Sequence, residues 1–243
     1  GAWSMGLGPS GSVLRDQSGH GNNGTLTNMV PADDWIRNEG QWALNFDGSN
    51  DHVNVPNIAN GPLNVTTGLT ICAWANSADA DGWVCGKDSL GAIRPYSIRR
   101  FTTGGNPVIR FGIDNGSPTF LNGSVVLPDN EWVWIAGTYD GAMMRIYCNG
   151  KLDTESSQTG NIRIDSDVFR IGNRGDGHPS LHFAGLIDDV RVYSRALSPN
   201  EIKILARERN IAYQPRDLMR GSNIVAAAAT GSPYYYQWRR RSA

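Results

Sequence analysis

Apolar and polar residues alternate along most of the chain in short runs broken by Gly, Asn and Asp, as in strands with one buried face and one solvated face. Residues 1–40 are rich in turn-forming types and predict an irregular, loop-rich opening. Trp42, Leu44 and Phe46 then alternate with Gln41, Ala43 and Asn45. After the turn signal Asp47-Gly48-Ser49-Asn50 the run resumes through His52-Val53-Asn54-Val55, which predicts a hairpin-like pair. Residues 69–75 are apolar on both faces apart from Thr70, as in a central strand covered on both sides. Runs at 83–86, 96–101 and 108–113 read as further strands.

The signal is sharpest between 131 and 155. Trp132-Val133-Trp134-Ile135 leads into Asp140-Gly141, and residues 143–148 lead into Asn149-Gly150 before Lys151-Leu152. Asp-Gly and Asn-Gly supply the positive φ angles of tight turns, so three strands form a meander. Residues 169–172 give a short strand and 183–193 a long one, with Leu186, Val190 and Val192 as its core candidates. A helix follows. Ser198 caps it, Pro199 suits its first position, Glu201 completes a capping box, and Ile202 with Leu205 form its apolar face, ending near Asn210.

Composition agrees with one all-β domain. Hydrophobic residues make up 40%, enough for a core, and 29 Gly with 12 Pro serve many turns. A net charge of −1 gives no whole-protein field toward nucleic acid or an anionic membrane. No apolar run reaches membrane-spanning length, so no membrane insertion is expected. Cys72, Cys85 and Cys148 lack metal-motif spacing and read as buried thiols. The charge is uneven: 211–243 hold five Arg against the single acid Asp217, a basic end on an otherwise acidic chain.

Phe46-Asp47-Gly48-Ser49-Asn50-Asp51-His52-Val53, Tyr139-Asp140-Gly141 with Tyr147-Cys148-Asn149-Gly150, and Gly185-Leu186-Ile187-Asp188-Asp189-Val190-Arg191-Val192-Tyr193 occur in this order, followed by Ser194-Arg195-Ala196-Leu197-Ser198-Pro199-Asn200-Glu201-Ile202. In these the chain resembles the laminin-G-like domains of the concanavalin A-like lectin/glucanase superfamily. The resemblance covers about residues 1–208 and implies an antiparallel jelly-roll β-sandwich; the domain is expected over 1–210 with one short C-terminal helix, and 211–243 is read as a separate arm that the resemblance does not explain. The superfamily implies little chemistry, because its members include carbohydrate-binding modules, adhesion domains, glycosidase parts and virion parts.

Glycosidases of the superfamily carry alternating carboxylates on one strand. Here the five glutamates, Glu39, Glu131, Glu155, Glu201 and Glu208, lie in no such arrangement, and no nucleophilic triad is evident, so no enzyme is expected. The resemblance places a structural calcium ligand at Asp188, beside the loop holding Asp47, Gly48 and Asn50, with Asp16 as a further candidate. The alternative is that Asp188 and Asp189 accept backbone hydrogen bonds at a strand bend and Asp47 fixes a turn. Asp176, His178 and His182 read as a surface loop and strand start rather than a transition-metal site. Arg174-Gly175-Asp176 and the sequons at Asn23, Asn64 and Asn122 are short matches that carry no conclusion.

Sugar binding would use exposed rings with polar neighbours. Trp83 with Asp81 and Lys87 is the candidate rim site, while Trp132 and Trp134 read as core. Beyond the resemblance, Tyr234, Tyr235, Tyr236, Trp238, Arg239, Arg240 and Arg241 interleave rings and guanidiniums as protein interfaces do, and read as an arm docking on a neighbouring subunit. Nucleic acid is the less favoured partner. The expected function is therefore a non-catalytic binding or assembly module displayed on a virion, with a calcium-dependent carbohydrate-binding or adhesion module of a secreted or cell-surface protein as the alternative, and a glycoside hydrolase after that.

Overall fold

A computed structural model describes residues 1–58, 61–88, 93–174 and 181–207, and of Leu7 the backbone only. In chain order its strands are β1 (Ala2–Trp3), β2 (Val13–Leu14), β3 (Gly24–Thr27), β4 (Trp35–Asn38), β5 (Gln41–Asp47), β6 (His52–Val55), β7 (Leu69–Asn76), β8 (Gly82–Lys87), β9 (Tyr96–Thr103), β10 (Asn106–Asp114), β11 (Pro118–Asn122), β12 (Val133–Tyr139), β13 (Met143–Cys148), β14 (Lys151–Ser157), β15 (Phe169–Ile171) and β16 (Ala184–Tyr193). The helices are α1 (Pro31–Asp34) and α2 (Pro199–Leu205). A first sheet runs β14-β13-β12-β7-β16-β5-β4, with β1 also on β16; a second runs β11-β10-β9-β8-β15-β6-β3-β2. All strand pairs named in both sheets are antiparallel. Alternation turns Phe46, Ile71, Ile135 and Ile146 of the first sheet toward Val53, Ile98, Phe111 and Phe169 of the second, and these share one core.

The 131–155 meander forms as expected. Cys148 pairs with Lys151 across Asn149 (φ 48°) and Gly150 (φ 76°), two consecutive positive φ angles that fit the right-handed twist of the flanking strands. Strand β7 sits between β12 and β16, and its second face is covered too. Cys72 and Trp74 pack with Trp134, Tyr147, Ile202 and Leu205 beneath α2. Ser198 Oγ accepts the Glu201 N–H while the Glu201 carboxylate accepts the Ser198 N–H, closing the expected capping box. Burying the Ile202 and Leu205 side chains contributes about 2 kcal/mol each, which fixes so short a helix to the sheet. The helix ends at Leu205, short of Asn210, which lies outside the described residues; so does the whole 211–243 arm.

Two expectations need correction. The 41–47 and 52–55 runs do not form a hairpin. Strand β5 pairs with β16 and β4, and β6 with β15 and β3, so residues 48–51 carry the chain from one sheet to the other. Both strands bury apolar residues in the same core from opposite sides, which the period alone does not distinguish from pairing. In β16, Leu186 is half-exposed and Ile187 is fully buried. The register shifts between Asp188 and Arg191, where Asp189 adopts φ 51°. The extra residue resets the alternation, so that Ile187, Val190 and Val192 face the core.

Candidate binding face

With Ile98, Ile109, Phe111, Val53 and Ile171 turned inward, the second sheet presents the alternate residues on its outer face. These are Ser97, Arg99 and Phe101 of β9, Arg110 and Gly112 of β10, Phe120 and Asn122 of β11, Arg170 of β15, and His52 and Asn54 of β6. The registers align Asn122, Arg110, Arg99 and Trp83 in one row across four strands. Rings and guanidiniums interleave along it. The Arg99 guanidinium carbon lies 4.7 Å from the Trp83 centroid and 4.6 Å from that of Phe101; that of Arg110 lies 3.1 Å from Phe101 and 5.4 Å from Phe120. Arg174 lies 5.8 Å from Trp83.

Side-chain amides hold the arginines in place. Arg110 Nε donates to Asn122 Oδ1 at 2.6 Å and Arg170 Nε donates to Asn54 Oδ1 at 2.8 Å. Arg99, Phe101 and Arg110 are half-buried and Phe120 is 38% exposed, so the row is open to a ligand above Phe101 and Phe120 while Trp83 closes its inner end. Asp88 lies behind the row, accepting the Ser97 hydroxyl at 3.1 Å. Burial pushes its carboxyl up to about 6, against the pull of Ser97, Arg94, Arg174 and Arg99. Burial, then the charge of Arg110, brings Arg99 down to about 10.

The rim site expected at Trp83, Asp81 and Lys87 is not one surface. Trp83 is 2% exposed, and that burial leaves no ring face for a sugar. Lys87 is 1% exposed and points to the core side, where Nζ donates to Asn64 Oδ1 at 2.6 Å and meets Asp165 Oδ1 at 3.2 Å. The cause is a register shift between Trp83 and Cys85: the alternation that would put residues 83 and 87 on one face is broken. Asp81 is exposed and accepts the Thr102 N–H at 3.0 Å. Trp134 is core, as expected, and Trp132 donates Nε1–H to Asn38 Oδ1 at 2.7 Å.

The acidic residues expected to bind calcium are spread over separate places and spent on the backbone. Asp188 Oδ1 accepts the Met5 N–H at 3.1 Å and the Asp189 N–H at 2.7 Å. Asp47 Oδ1 accepts the Ser49 and Asn50 N–H groups, closing the loop that contains Gly48. Asp47 lies opposite Ala184, four residues from Asp188 and so about 13 Å along the strand, whereas calcium holds each ligand oxygen at about 2.4 Å. Asp16 accepts N–H groups of Ala2, Ser18 and Asn22. Although burial opposes it, those bonds and the Ser18 hydroxyl hold the Asp16 carboxyl below its usual range. Among the described residues no group of three His, Cys, Asp or Glu could hold a metal ion.

Glu155 pairs with Arg145 on the first sheet, and Glu201 serves α2; Glu39 is at the β4–β5 turn and Glu131 in the segment before β12, on no common strand. Glu208, Asp176, His178 and the arm residues Tyr234, Tyr235, Tyr236, Trp238, Arg239, Arg240 and Arg241 lie outside the described residues. The outer row itself was not legible as a site from sequence spacing. Its members come from four strands, and the one local signal is the alternation Arg99-Arg100-Phe101 in β9.

Solved structures share this fold. One is domain 4 of AbnA, an extracellular GH43 arabinanase from Geobacillus stearothermophilus, in complex with arabinotriose (17% identity, 84% of this chain and 96% of that one, TM-score 0.58). Another is the SAP-like pentraxin of Limulus polyphemus (14%, 67% and 80%, TM-score 0.54). A third is the receptor-binding domain of a botulinum neurotoxin C/D mosaic (14%, 86% and 51%, TM-score 0.62). At these identities the likeness shows the fold alone. No curated protein matches the chain. No helix among the described residues is long and apolar enough to cross a membrane. Residues 47–203 match a laminin G sequence profile, so the chain belongs to the concanavalin A-like lectin/glucanases superfamily.

Proposed function

We propose that this chain is a non-catalytic carbohydrate-binding module that works outside the cell or on a surface, and that its ligand lies across the outer face of the second sheet. The observation that carries this reading is the row of aromatic rings held between arginines on rigid strands, with Phe101 and Phe120 reachable from solvent. Sugar rings stack their C–H faces on such rings while guanidiniums and amides donate to the hydroxyls. Strands fix that geometry better than loops do. A solved relative in fold supports the class of ligand: the AbnA domain is complexed with arabinotriose. The assembly role expected from residues 234–241 draws on positions outside the described ones, and no observation here favours it.

A glycan array with the full chain tests the reading, alongside Phe101→Ala and Phe120→Ala variants whose folding is checked by thermal melting. Saccharide binding by the parent and its loss in both folded variants is expected. A folded parent that binds no glycan, or variants that bind as well as the parent, would overturn it.

A further inference from the structure

Arg99 and Arg110 stand directly opposite each other in the β9–β10 register, where two like charges repel. The sequence places them there without a carboxylate in the same row: Asn122 and Trp83 complete it. The nearest acids, Asp81 and Asp88, attract Arg99 by charge, but Asp81 accepts the Thr102 N–H and Asp88 the Ser97 hydroxyl, and neither takes a hydrogen bond from Arg99 Nε. The arginines are instead neighboured by the Phe101 ring, which spreads but does not cancel their charge.

A second, independent observation concerns donors. Trp83 is almost wholly buried, and its Nε1–H has no hydrogen-bond partner; beside it, Arg99 Nε is buried and has none either. Buried polar groups are nearly always satisfied, and those that are not mark a functional site or a missing partner. Two adjacent donors lacking acceptors, next to a repelling pair of cations, call for an acceptor that is also an anion. Arginine is the side chain whose planar fork suits carboxylate and sulfate oxygens. The protein as a whole carries a net charge of −1, so attraction of a polyanion has to come from this row rather than from an overall field.

We propose that the row Trp83, Arg99 and Arg110 is an oxyanion subsite that takes the carboxylate of an acidic sugar or the sulfate ester of a sulfated one, on a glycan whose neighbouring rings lie over Phe101 and Phe120. This rests on the reading of the face as a glycan site. The module is thereby selective for acidic polysaccharides.

Affinity electrophoresis and calorimetry of the full chain at about 150 mM salt, where long-range charge effects are screened, test it with polygalacturonate, dextran sulfate, neutral dextran, arabinan and single-stranded DNA. Retention by polygalacturonate identifies a carboxylate ligand, and retention by dextran sulfate a sulfate. Arg99→Gln and Arg110→Gln each weaken that binding by about tenfold or more, the size of one charge-assisted hydrogen bond. Arg145→Gln, on the first sheet and paired with Asp140 and Glu155, makes the same change in net charge and leaves affinity within about twofold, as expected of an exposed pair. Should the half-buried Arg99 variant fail to fold, Trp83→Phe keeps the ring, deletes only the Nε1–H, and also weakens binding. Equal weakening by Arg145→Gln, or equal retention of DNA through the same arginines, overturns the subsite. Binding of a neutral glycan but neither acidic polymer overturns the subsite and leaves the carbohydrate reading standing; binding of no glycan overturns both.

Discussion

The carboxylate of Asp188 accepts the backbone N–H of Met5 at 3.1 Å, joining the first turn of the chain to β16 across 183 residues of sequence. The same oxygen accepts the Asp189 N–H at the bulge, and Asp188 is 3% exposed, so two buried donors depend on it. Asp188→Ala should therefore cost about 3 kcal/mol, and Asp188→Asn, which keeps an acceptor, clearly less. Denaturant unfolding measures both. Because Oδ1 already serves two backbone N–H groups, neither EDTA nor added calcium should shift the melting temperature of the parent protein.

That residue also shows what the sequence makes legible. The Asp188 position and the alternation on either side of it mark a core strand, but a bulge inserts one residue and leaves no compositional trace, so Ile187 rather than Leu186 turns inward. The register shift after Trp83 does the same to Lys87. Features fixed within four residues, such as the Ser198–Glu201 capping box and the Asn149-Gly150 turn, can be read directly. The binding face cannot, because Trp83, Arg99, Arg110, Phe120 and Arg170 meet only once β8, β9, β10, β11 and β15 have paired.

Lys87 and Asp165 form a buried pair whose value lies in its completeness. Burial brings the Lys87 amine down despite the attraction of Asp165, and raises the Asp165 carboxyl despite that of Lys87, so each charge is tolerated only because the other is present. Asp165→Ala should cost about 3 kcal/mol by stranding the ammonium, and adding Lys87→Met to that variant should restore at least half of the loss. A double-mutant cycle in urea gives the coupling directly; additive losses would mean that the two residues act independently.

Asp88 gives the protein a pH dependence of definite sign. Its folded carboxyl titrates near 6, against an unfolded value of 3.8. A raised acid favours the folded state most below pH of about 4, and that contribution is lost as pH rises through about 6, a change of about 3 kcal/mol. Asp88→Asn does not titrate, so its stability relative to the parent should rise by about that amount between pH 4 and pH 8. Parallel unfolding curves for the two proteins would show that the carboxyl is not desolvated.

Gly172 follows β15 at φ 84°, and a Cβ there would lie 2.2 Å from the Phe46 ring in the facing sheet. Its N–H donates to the Val84 carbonyl at 2.9 Å and its own carbonyl accepts the Phe183 N–H at 2.9 Å, so the backbone has little room to move away. Gly104 has the same left-handed conformation, φ 57°, but a Cβ there would meet nothing within 4 Å. Alanine at either position incurs the conformational cost of about 1 kcal/mol, and only Gly172→Ala adds overpacking of a further 2 kcal/mol or so. The difference in unfolding free energy between the two variants isolates the packing term. Gly172 also lies two residues before Arg174, whose guanidinium sits over Trp83, so Gly172→Ala alone should weaken glycan binding; a loss of affinity in Gly104→Ala but not in Gly172→Ala would place the ligand away from this end of the sheet.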